Sequence, residues 1–175
     1  MGPTTINGLP AHVLLVHIVV VMVPVTALLV VSCVLWPAAR RRLGILTPLA
    51  AFVTLVSVPL TSHSGEWLEH HTSRDPLVRI HAHLGDEMLL WSLAVFVLSL
   101  VWWAVHSERA TGWMRSRSRR TDAVVANKVV AAALAVLAMV VAGGSVVQVY
   151  RIGDSGAKAA WHDRVGAAAP STPDK

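Results

Sequence analysis

The chain has 175 residues, 54% of them hydrophobic and 14% charged, with a formal net charge of +5 and a mean hydropathy of +0.58. Average soluble domains carry roughly 25% charged residues, so this balance excludes an ordinary soluble domain. The clumping of apolar residues into long runs points instead to a membrane protein.

Four runs reach the length of about 20 residues that a membrane-crossing helix needs. The first, over 11–36, has no Lys, Arg, Asp or Glu and carries His12 at its start and His17 about a turn and a half deeper. A cleavable signal peptide needs positive charge ahead of a short apolar core. Here the first basic residues, Arg40, Arg41 and Arg42, come after a run too long for that core, so the run reads as a retained span. Cys33, the one cysteine, excludes an internal disulfide and reads as a small packing residue.

The second run, over 43–62, contains Pro48, harmless in a first turn, and Pro59, which kinks or ends a helix near the far interface. The loop that follows, SHSGEWLEHHTSRDPLVRI, places His63, Glu66 and His70 on one stripe if its first part is helical. Such a stripe suits either a metal or a solvated amphipathic helix. The third run, over 84–105, is entered through His81, His83, Asp86 and Glu87. His83 and Glu87 are four apart and share a face. The fourth, over 129–150, carries Ala131, Ala135, Ala138, Ala142 and Gly143, small residues that permit close helix approach. The segment after Gly166 reads as a disordered tail, which leaves one membrane domain over 1–166.

Basic residues set the orientation. Arg40, Arg41, Arg42, Arg109, Arg115, Arg117, Arg119, Arg120 and Lys128 lie in two loops on one side, against Arg74 and Arg79 on the other. Both termini are therefore expected to be extracytoplasmic. Trp36, Trp102, Trp103 and Trp113 fit an inner aromatic belt, and Trp67, Tyr150 and Trp161 an outer one. The isoelectric point of 10.4 reflects these lipid-facing loops rather than nucleic-acid binding.

In this orientation eight of the nine histidines (His12, His17, His63, His70, His71, His81, His83 and His162) gather at the outer face, with His106 alone at the inner one. Imidazole is the commonest metal ligand and titrates near neutral pH. His12, His63 and His83 fall at similar depth, with His17 and Glu87 below. Glu87 opens an apolar stretch, where an unpartnered carboxylate costs at least about 2.5 kcal/mol. There is no HExxH helix, Walker loop, paired ExxH, CxxCH or nucleophile elbow. A hydrolase is not expected.

The stretches LPAHVLLVH, SGEWLEHH, HAHLGDEM and VYRIGDSGAKAAW together resemble a bacterial family, frequent in actinobacteria, of small four-helix membrane proteins catalogued as a domain of unknown function. The likeness covers roughly 8–161 and implies the same four-span layout with His12, His17, His83 and the GDSGA stretch on the outer face. Relatives often carry HSGA where this chain has Asp154-Ser155-Gly156-Ala157, and a proline where it has Ile18. Some are joined to Rieske-type iron–sulfur domains, which implies a redox setting.

The expectation is an all-α integral membrane four-helix bundle of the bacterial cell membrane. Its outer site would bind b-type haem through His17 and His83, with His12 and Glu87 beside them, in an electron-transfer role. A membrane redox complex or a second copy would be its partner. The alternatives are a zinc, copper or iron site on His12, His63, His83 and Glu87, or a cofactor-free accessory subunit.

Overall fold

Four helices long and apolar enough to cross a membrane dominate the structure, a computed structural model that describes residues 5–6, 9–70, 75–107, 111–112 and 127–166. His71, Arg74, Trp113, the arginines at 109, 115, 117, 119 and 120, and the tail over 167–175 lie outside the described residues. A two-residue antiparallel pairing, Thr5–Ile6 with Leu9–Pro10, precedes the first helix. The described remainder is helical: α1 spans Ala11–Leu35, α2 Pro37–Leu43, α3 Leu46–His70, α4 Pro76–His106 and α5 Lys128–Gly166.

Three helices outrun the apolar stretches that mark them. α3 continues to His70, α4 begins at Pro76, and α5 runs on to Gly166, whereas hydropathy alone places those ends near 62, 84 and 150. Apolarity reports where a helix can meet lipid; the helix itself persists until its backbone is capped. α4 shows this directly. Asp75 is its N-cap, with Oδ1 accepting from the Leu77 N–H at 2.8 Å, and Pro76 sits at the first helical position, where a missing N–H costs nothing. The short α2 likewise starts on Pro37, and it places Arg40, Arg41 and Arg42 in its last turn.

Each long helix packs against the next in the chain, and α5 closes back on α1, so α1 lies diagonal to α4. The seam between them follows one rule. α1 buries Val19, Val23, Thr26, Val30 and Cys33; α3 buries Thr47, Ala51, Thr54, Val58 and Thr61. α4 buries Met88, Ser92, Val95, Ser99 and Trp102, and α5 buries Ala138, Ala142, Ser145, Val149 and Ile152. Every helix thus steps inward by four and three alternately, the seven-residue repeat of coiled-coil packing.

The chemistry of the two faces is inverted relative to a soluble bundle. Leu28, Leu90, Val129 and Val140 are among the most exposed side chains, while Thr26, Thr54, Thr61, Ser92, Ser99 and Ser145 are buried. Five of these buried hydroxyls avoid a desolvation cost by donating to carbonyls three or four residues back, as in Thr54 to Ala50 at 2.9 Å and Ser145 to Ala142 at 2.7 Å. Thr26 instead bonds the Thr54 hydroxyl across α1 and α3 at 3.0 Å. Among the described residues no buried side-chain polar atom lacks a partner. Small and hydroxylated residues inside, with branched aliphatics outside, is the arrangement expected where lipid rather than water surrounds the helices.

Candidate functional site

The seam rule, carried on toward the end where α1 begins, leads to a single layer. Seven residues before Val19 on α1 stands His12, and seven before Met88 on α4 stands His81. Four residues after Thr61 on α3 stands Gly65, and four after Ile152 on α5 stands Gly156. Two imidazoles thus occupy one diagonal of the bundle mouth, and two glycines the other.

The glycines are what let the imidazoles in. A Cβ on Gly65 would lie 2.9 Å from His12 Nδ1 and 3.0 Å from its Cε1. On Gly156 it would lie 2.9 Å from His81 Cε1 and 3.1 Å from Nδ1. Each ring therefore rests on the backbone of a neighbouring helix. The two ring centroids are 6.2 Å apart, with the planes at 85°.

Both rings are held by the same nitrogen. His12 Nδ1–H donates to the Thr61 carbonyl at 2.9 Å, and His81 Nδ1–H donates to the Ile152 carbonyl at 3.0 Å, with Ser155 Oγ at 3.2 Å. The Ser155 hydroxyl in turn donates to Ile152 O at 2.9 Å. A carbonyl can only accept, so each Nδ1 carries a proton, and in the neutral ring Nε2 is then the nitrogen with the lone pair. This is the tautomer and the kind of supporting bond that metal-ligating histidines have.

The residues expected to form the site are distributed differently. His12 is in the mouth. His17 lies on the exposed face of α1, and its Nδ1 bonds the Val13 carbonyl of its own helix at 2.6 Å. The His83 side chain is 78% exposed, with Nδ1 3.6 Å from Glu87 Oε1. Below the mouth, the interior is filled by Val19, Val23, Val58, Met88, Val149 and Ile152. His17 and His83 thus both lie on exposed faces, on helices that are diagonal in the bundle.

The four-ligand metal set is likewise not assembled. The stripe of His63, Glu66 and His70 does form on α3, but it faces outward, with His63 Nδ1 3.8 Å from Glu66 Oε2. Among the described residues no three His, Cys, Asp or Glu side chains come together at one point. Glu87 instead finds a neutral partner: Gln148, 2% exposed, donates from Nε2 to Glu87 Oε2 at 3.0 Å and to the Leu84 carbonyl at 2.9 Å. Arg151 Nη1 donates to Gln148 Oε1 at 3.2 Å. His162 Nε2 lies 3.9 Å from the capping carboxylate of Asp75. Asp154 is taken up by Lys158 at 2.7 Å.

His81, Ser155, Gly65, Gly156 and Gln148 are the participants that motif and depth arguments pass over. The four-and-three repeat is the signal that finds the pair. It selects His12 over His17 and His81 over His83. No family model, curated protein or solved structure matches the chain.

Proposed function

We propose that this is a multi-pass protein of a bacterial cell membrane, with both termini extracytoplasmic, whose extracytoplasmic mouth binds a metal ion through His12 and His81. The observation that carries this reading is the pair itself. Two imidazoles from diagonal helices approach to 6.2 Å, each anchored through Nδ1 with Nε2 uncommitted. Such a pair can hold an ion in the path between solvent and the bundle core.

The membrane assignment is supported by four apolar helices with aliphatic outer faces. The orientation is supported by Arg40, Arg41 and Arg42 on α2, at the end of the bundle opposite the histidine pair. The motif resemblance to a four-helix family with Rieske-joined members belongs to the same proposal and gives the site a redox setting, with a membrane redox complex or a second copy as partner.

Two measurements test it. In a Cys33→Ala background, Glu69→Cys should react with a membrane-impermeant maleimide on intact cells, and Ser107→Cys only after lysis; the reverse pattern overturns the orientation. Protein purified from metal-replete cells should carry a transition metal by elemental analysis, and His12→Ala should lose it. Full metal retention in that variant overturns the site.

A further inference from the structure

The donor set of the mouth is specific enough to name its ion. We infer that the His12–His81 pair is a two-coordinate site for a monovalent soft cation, copper(I), rather than for zinc or another divalent metal. This rests on the proposed role of the pair and adds the charge and coordination number of what it holds.

Three observations converge. The first is distance. Two imidazoles on opposite sides of one ion, each with a metal–nitrogen bond of about 2 Å, put their ring centroids roughly 6 Å apart. The observed separation is 6.2 Å, with the ring planes at 85°, a spacing that such a pair would keep.

The second is ligand number. Zinc sites are almost always four-coordinate, and among the described residues no third His, Cys, Asp or Glu joins the pair. The nearby carboxylates have other partners: Glu87 with Gln148, and Asp154 with Lys158. Copper(I) has a filled d shell and accepts two nitrogen donors in a line.

The third is charge. Neither ligand is anionic, and the seam below them runs through Val19, Met88 and Ile152, with the carboxylate of Glu87 engaged by Gln148 beside it. A dication held there without an anionic ligand keeps its full charge against a low-dielectric surface, whose penalty grows with the square of the charge. A monocation meets about a quarter of that penalty. Binding forms two N–metal bonds from the ring lone pairs and transfers no electron.

Full-length protein in lipid nanodiscs is titrated anaerobically with copper(I) delivered from a coloured chelator, and separately with zinc(II). X-ray absorption at the copper edge is recorded on the wild-type complex, so the result does not depend on a variant folding. The expected outcome is one copper(I) per chain with two nitrogen neighbours. Zinc should bind at least about 100-fold more weakly, and His81→Ala should cost copper affinity at least about 100-fold, more than loss of a supporting hydrogen bond would. Three or more ligands, sulfur ligation, or zinc binding as tight as copper overturns the ion's identity while the mouth keeps its role as a metal site. If neither ion binds to a monodisperse, helical wild type, this inference and the proposed function fall together.

Discussion

The two ends of the bundle obey the same packing rule and close with different chemistry. At the end that carries α2, the seam finishes on Trp102. Its Nε1–H donates to the Cys33 carbonyl at 3.3 Å, the Arg40 guanidinium lies 5.6 Å from its ring, and His106 packs against it with centroids 4.2 Å apart. The single polar atom of that indole is used. At the opposite end the seam finishes on two imidazoles, each with one nitrogen used and one spare. An end closed by an indole is a plug. An end closed by a pair of anchored imidazoles can be a plug until an ion arrives and a binding site afterwards. Residue size sets the first property, and the second nitrogen sets the other.

The comparison is broken most severely at the indole end. Trp102→Ala should destabilise the bundle by about 3–5 kcal/mol, the usual cost of emptying a buried aromatic site, measured by reversible unfolding in detergent. Its surviving folded fraction should still bind metal normally, because Trp102 lies two heptads further along the seam than Met88. Loss of binding in that folded fraction would show that the two ends are not independent.

Next in size is the link just below the mouth. Gln148→Leu removes the donor that Glu87 and the Leu84 carbonyl share, and should cost about 1–3 kcal/mol. The same unfolding assay reads it. No change would mean that water replaces Gln148 without penalty.

The glycines sharpen the comparison further. A Cβ at Gly153 meets nothing within 4 Å, whereas one at Gly156 presses on His81. Gly153→Ala should stabilise α5 by about 0.5–1 kcal/mol. Gly156→Ala should forfeit that gain and weaken metal binding about tenfold by tilting the supported ring. Equal behaviour of the two variants, in stability and in metal titration, would remove the role assigned to the glycine diagonal. Smallest of all, Thr54→Val breaks the Thr26–Thr54 bond midway between the ends and should cost about 0.6 kcal/mol, the average for such a contact between membrane helices.

Much of this architecture is legible in the amino-acid sequence. The four long helices follow from apolar run length, and the gathering of histidines at one end follows from their placement at segment boundaries. The helix overhangs are less visible, because hydropathy ends where charge begins, and the Asp75-Pro76 start signal lies inside a stretch that reads as a loop. The site itself is half legible. His12 is selected by depth and by seam alike. His17 and His83 are attractive for their depth and for a neighbouring carboxylate, yet depth says nothing about facing, and both lie off the four-and-three repeat. His81 shares its helix with His83 only two residues away, and that offset of about 200° around the axis separates an inward ring from an outward one. Gly65 and Gly156 carry no chemistry of their own, and nothing in the stretches SGEWLEHH and GDSGA marks them as supports for a ring. Their part is to be absent where a side chain would be.

The most direct measurement compares metal bound by four single variants, His12→Ala, His81→Ala, His17→Ala and His83→Ala, each checked for helicity and monodispersity and exposed to copper(I) and to zinc(II) in turn. The first two should lose the bound ion and the last two should keep it. Loss in the His17 and His83 variants with retention in the other two would contradict the assignment of the pair.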